Sequence, residues 1–128
     1  MHDAPVRPVP DDEHARIATE TFRMLSDPTR VRILWALFNG DMSVNALAEL
    51  VGATPTAVSQ HLAKLRLAGL VETRREGTYV YYSAVDWHVH GLLAEALSYA
   101  EHVTGTAAGD DPHSYPAPAG RHRRKSTR

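Results

Sequence analysis

Between Ser43 and Tyr82 the spacing of apolar positions changes from helical to alternating. "SVNALAELVG" carries a short helical stripe. In "TPTAVSQHLAKLRLAGLV" the apolar Val58, Leu62 and Leu65 recur at four- and three-residue steps, and they and Leu67 are expected to be buried. Beyond Gly69 the stretch "VETRREGTYVYYS" shifts to period two around Glu76 and Gly77, the pattern of a hairpin. Helix, turn, helix and hairpin in that order make a winged helix-turn-helix, an architecture that fits an α-helix into a DNA groove.

The flanking segments complete a mainly α fold with a β-hairpin wing. Asp11 and Asp12 suit a helix N-terminus, and Ile17, Phe22 and Leu25 give the first helix its stripe. In "SDPTRVRILWALFNG", Pro28 stands at a first helical position and Gly40 just past the end, with Val31, Ile33, Leu34, Leu37 and Phe38 expected inside. Ser43 caps the third helix, Gly52 ends it, and Thr54 caps the fourth. Asp86 then caps a long closing helix, "WHVHGLLAEALSYAEHVTG". Three prolines in the first ten residues mark positions 1–10 as a flexible arm, 11–104 as the folded domain, and 105–128 as a disordered basic tail.

Composition narrows the chemistry. A chain of 128 residues is one domain, and a small helical domain gains from pairing with a copy of itself, here through its terminal helices. The absence of cysteine excludes disulfides and thiolate metal sites and suits a reducing cytoplasm. No apolar run reaches the ~20 residues needed to span a bilayer, and "MHDAPVRPVPDD" lacks a signal peptide's basic start and apolar centre, so a cytoplasmic protein without membrane contact is expected. The formal net charge is -1, with five basic residues gathered in "RHRRKSTR", so local fields rather than net charge must attract a polyanion.

The fourth helix sets Thr54, Thr56, Ser59, Gln60, His61 and Lys64 among its apolar positions. Gln60 is suited to a bidentate bond with adenine, Thr56 and Ser59 to base edges or phosphates, and Lys64 and His61 to the backbone. His61 directly precedes Leu62 and serves equally well as a residue that satisfies the domain itself. Arg74, Arg75 and Thr78 surround Gly77, where a basic hairpin tip meets phosphates or a minor groove, or else remains a solvated turn. Tyr79, Val80 and Tyr81 are expected to pack the hairpin.

Taken together, "FRMLSDPTRVRILWAL", "SVNALAELVG", "AVSQHLAKLRLAGLVETRREGTYVYYS" and the closing helix resemble the ArsR/SmtB family of metal-responsive repressors over roughly residues 12–104. "MSVNALAE", "VSQHLAKLR" and "AEH" are similar to its nickel- and cobalt-sensing branch, the NmtR and KmtR type. The resemblance implies a homodimer that binds an imperfect inverted repeat and leaves it when its effector binds.

It also implies a ligand pattern on the last helix at Asp86, His88, Tyr99 and His102, and here the chain departs from many zinc sensors, which have histidine where Tyr99 stands. His88 and His102 lie fourteen positions apart, nearly in phase on one helix face but about four turns distant. They meet only if two such helices run antiparallel across a dimer axis, giving two equivalent sites. A neutral phenol is a poor ligand, so the deficit falls to Glu101, which lies off that face, or to His113, Asp110, Asp111 or His2 with the terminal amine. Such mixed nitrogen and oxygen donors suit six-coordinate nickel or cobalt better than a closed zinc site. Asp86 has a second reading as an N-cap alone, and His90, His14 and His122 are expected to be solvated. Without cysteine in "SVNALAEL", the family's thiolate site in the third helix is excluded, and with it arsenic, cadmium or lead sensing.

Two other classes stay open. A winged-helix regulator answering to zinc or to a non-metal signal would keep every DNA feature and use the last helix as a plain dimer seam. An enzyme would need more than "HVH": no HExxH, nucleophile motif or glycine-rich phosphate loop accompanies it.

Overall fold

The computed structural model describes residues 7–106. Five helices and one hairpin follow in the order α1 (Asp12–Leu25), α2 (Pro28–Phe38), α3 (Val44–Val51), α4 (Pro55–Leu67), β1 (Val71–Glu76), β2 (Tyr79–Ala84) and α5 (Trp87–Thr104). Local chemistry sets each helix start. Asp27 accepts from the Arg30 N–H at 3.0 Å ahead of Pro28. Ser43 accepts from Ala46 at 3.2 Å, and Thr54 from Ala57 at 3.1 Å. Each such bond satisfies one of the donors that a helix start leaves without a partner. Gly52 ends α3 at φ 73°, a left-handed conformation that a β-carbon disfavours, and so lets the chain turn sharply into α4.

The hairpin is antiparallel, pairing Arg75 with Val80 and Glu76 with Tyr79 around Gly77. Its second strand, β2, is tied to the α2–α3 connection by Met42 and Tyr82, which exchange backbone hydrogen bonds of 3.1 and 2.8 Å. The wing therefore springs from a fixed base while its tip stands clear.

Ile33, Leu34 and Leu37 of α2 form the centre of the core, against Leu47 and Ala48 of α3, Val58, Leu62 and Leu65 of α4, Val71 of β1, and Val89 and Leu93 of α5. Among the described residues no polar side chain is buried. α2 is the hub: it packs on α1, α3, α4, β2 and α5.

Three expectations need correction. Leu67 is 90% exposed, because it lies about 180° around α4 from Val58 and about 160° from Leu65, on the side turned away from the core. Val31 and Phe38 are only half-buried. His90 is not solvated but half-buried in an aromatic cluster of α2 and α5. The stripe of α1 is present, but Ile17 and Phe22 remain exposed, and no residue of α1 is buried within the chain. His2, Asp110, Asp111, His113 and His122, and most of the arm and tail, lie outside the described residues.

Candidate DNA-reading surface and effector site

Thr56, Ser59, Gln60 and Lys64 share the outward side of α4 and are all exposed. The four-residue steps from Thr56 to Gln60 to Lys64 stack these side chains one turn above another. Among the described residues none of the four side chains is held by an intramolecular hydrogen bond or ion pair, so their bonding capacity faces outward. The buried Val58, Leu62 and Leu65 fix the opposite side of the helix.

Two of the expected DNA contacts are already engaged. The Thr54 hydroxyl caps α4. The half-buried His61 turns towards α2, its Nε2 3.8 Å from Asp27 Oδ2. The hydrogen bond from the Arg30 backbone N–H, joined by the attraction of His61, holds the Asp27 carboxyl below the usual carboxylate range.

The two wing arginines differ in the same way. Arg74 Nε donates to Asp41 Oδ2 at 3.0 Å, its other arm pairs with Glu76, and its guanidinium lies 4.8 Å from the centre of the Tyr81 ring. The Asp41 bond, then the Glu76 bond, push the Arg74 pKa further up. Arg74 thus fastens the wing to the α2–α3 connection, and its charge is neutralised locally. Arg75 is exposed, with no side-chain bond among the described residues, and Thr78 lies exposed beside it at the tip.

At the other end of the domain, Asp86 Oδ1 accepts from the His88 N–H at 2.7 Å, so its capping role is real and its second oxygen remains available. His88, Leu92, Tyr99, His102 and Val103 fall within about 100° of one another around α5. All five are exposed, Leu92 at 38%, Tyr99 at 69% and Val103 at 52%. Glu101 lies about 140° from His88 around the helix. Among the described residues no three histidine, aspartate or glutamate side chains gather closely enough to hold a metal ion. Asp86 and His88 stand at the start of α5 and His102 near its end, about 21 Å apart along the helix axis, so one chain does not bring them together.

Sequence reasoning missed Asp27, Asp41 and the aromatic cluster. Asp27 was legible as a cap from "DPTR", but not as the partner of a histidine 34 positions away.

Residues 27–73 match the family model described as bacterial regulatory protein, arsR family. The HTH-type transcriptional regulator KmtR of Mycobacterium tuberculosis is 52% identical over 96 residues, which cover 75% of this chain and 73% of that protein. NmtR of the same organism is 40% identical over 99 residues, covering 77% and 82%. The chain belongs to the ArsR family. The solved structure of the AntR antimony-specific transcriptional repressor superposes with a TM-score of 0.72 at 31% identity, covering 77% of this ArsR-family chain and 90% of that one. The protein is thus a winged helix-turn-helix transcriptional repressor of the ArsR/SmtB metal-sensor type and not an enzyme. No helix among the described residues is long and apolar enough to cross a membrane.

Proposed function

We propose that the protein works as a homodimer on an operator inverted repeat and is released from it by nickel or cobalt. One observation carries this reading: His88 and His102 lie on the same exposed apolar face of α5, at opposite ends. Burying Leu92, Tyr99 and Val103 against a second copy removes apolar surface from water, with the exposed Ile17 and Phe22 of α1 available to extend the seam. In an antiparallel pairing the same contact brings His88 and Asp86 of one protomer to His102 of its partner. Glu101 and His113 are the remaining donors of this proposal, one at the helix edge and one in the tail. Asp86, His88 and His102, with Glu101 or His113, would hold a nickel or cobalt ion through nitrogen and oxygen donors alone, and when bound it would link the two α5 helices.

On the DNA side, Gln60 with Thr56 and Ser59 reads bases, while Lys64, Arg75 and Thr78 position the duplex. His61 and Thr54 act from within the domain, and Arg74 holds the wing. Because metal and DNA act on one dimer geometry, each weakens the other by the same factor.

The direct test is titration of the purified protein with nickel, cobalt and zinc, read by stoichiometry and cobalt absorption. Release from an operator duplex, selected by the protein from a randomised pool, is followed in parallel. Weak six-coordinate cobalt bands and release by nickel or cobalt support the reading. Tetrahedral bands with release by zinc favour a zinc sensor, and release by none of the three favours a non-metal signal.

The division of labour has its own test. Gln60→Ala should weaken binding to the selected operator by about 1–3 kcal/mol and hardly alter binding to unrelated duplex. Arg75→Ala should weaken both and reduce the salt slope by about two, one phosphate contact from each protomer. Arg74→Ala should lower affinity with less change of slope than Arg75→Ala, since its charge is already paired. Gel-shift titrations at several salt concentrations measure all three, and equal slopes for the two arginine variants would refute the distinction.

A further inference from the structure

α5 and α4 are the two helices whose relation a sensor must control, yet α5 makes its main contacts within the chain on α2. The contact is specific. The His90 ring stacks on Trp35 of α2 with centroids 5.1 Å apart and planes 12° from parallel. It meets Phe38 of α2 edge-on at 5.0 Å and Trp87 of its own helix at 4.9 Å. Trp87 in turn lies 5.5 Å from Phe38. Around α5, His90 lies roughly opposite the face that carries His88 and His102, with Trp87 about 100° from His88. One side of the first turn of α5 thus faces the proposed metal and the other is clamped to the C-terminal half of α2.

The N-terminus of α2 holds the second contact. Asp27 Oδ2 caps α2 through Arg30 and also stands 3.8 Å from Nε2 of His61, on the recognition helix. Between the two ends, Ile33, Leu34 and Leu37 pack into the core with Val58, Leu62 and Leu65 of α4. A close-packed helix moves as a body rather than bending locally.

We infer that α2 is the lever between sensor and reader, with His90 in its aromatic clamp and Asp27 facing His61 as the positioning residues at its two ends. A shift of the first turn of α5 moves the Trp35 and Phe38 end of α2, and the Asp27 end carries that motion to α4. The inference deepens the proposed function, but half of its test needs no metal. Trp35 and Trp87 are the chain's two tryptophans, and both belong to the clamp. Intrinsic fluorescence therefore reports on the clamp alone.

The experiment titrates full-length, metal-free protein with the selected operator duplex and follows tryptophan emission. Operator affinity is then measured with and without nickel. Operator binding should shift the emission of the wild type although the DNA contacts lie on α4 and the wing. Asp27→Asn, which keeps the cap and removes the charge, should bind operator within about threefold of wild type. It should lose much of the emission shift, and its nickel-dependent drop in affinity should shrink by about two- to fivefold. His90→Ala should shrink that drop by about tenfold with nickel stoichiometry unchanged, and His90→Phe should restore it through the retained stack. An emission that ignores operator in the wild type overturns the lever, as does a full shift and full nickel response in Asp27→Asn, or loss of nickel binding in His90→Ala. If His90→Ala does not fold, Asp27→Asn decides alone. A wild type that shifts its emission with operator but ignores nickel leaves the lever standing and refutes the metal reading instead.

Discussion

Replacing His102 with alanine should yield a folded dimer that stays on its operator at nickel concentrations that release the wild type. The helix-five pairing makes the effect large. Each proposed site takes His88 from one protomer and His102 from the other, so a single substitution damages both symmetric sites at once. His88→Ala should behave in the same way. The exposed side chains of α4 and the wing lie on other elements, so metal-free operator affinity should change little, and what disappears is the coupling between sites. Couplings of this kind amount to about 1–3 kcal/mol, or about 5- to 150-fold in operator affinity. Gel-shift titration with and without nickel measures it directly, and circular dichroism confirms the fold. Removing residues 107–128 separates the helix from the tail as ligand source: a weaker nickel affinity assigns a donor such as His113, and an unchanged one leaves the site to α5. Release of His102→Ala at the wild-type nickel concentration would refute the site and make the non-metal regulator the leading account.

What the sequence disclosed was what a helix or strand determines by itself. Caps at Ser43, Thr54 and Asp86 were readable because a capping side chain bonds a backbone group two or three positions away. The buried face of α4 followed from periodicity, and so did the phase shared by His88 and His102. Pairings between elements were not readable. Asp27 with His61, Asp41 with Arg74 and Trp35 with His90 each join residues more than thirty positions apart, and they depend on how helices cross. His90 shows the cost of reading one helix alone: its position opposite His88 suggested solvent, but that side of α5 meets α2. Leu67 erred the other way, an apolar residue that the helical period itself puts about 180° from Val58, on the outward side of α4. For Ile17 and Phe22 the sequence marked an apolar face without showing that it stays uncovered within the chain.

Leu62→Ala should have the largest effect on stability, although its neighbours Gln60 and His61 attract the functional interest. Leu62 is fully buried in the shared core of α2, α3 and α4, so truncation removes apolar contacts and leaves a cavity that close-packed neighbours fill only in part. The cost is about 2–5 kcal/mol, against the 5–15 kcal/mol that holds a typical domain folded. A domain of about this size loses roughly 4–8 °C of melting temperature per kcal/mol, so thermal unfolding should fall by at least about 10 °C. Operator binding should weaken as well, because α4 loses the anchor that fixes its outward face. Dimerisation opposes the loss by mass action, so the melting temperature should recover in part as protein concentration rises. Leu67→Ala, at the exposed end of the same helix, is the control and should change stability by no more than about 0.5 kcal/mol. A Leu62→Ala protein that melts with the wild type would mean that α4 is not held by this core. The polar face of α4 would then lack the rigid base from which it meets DNA.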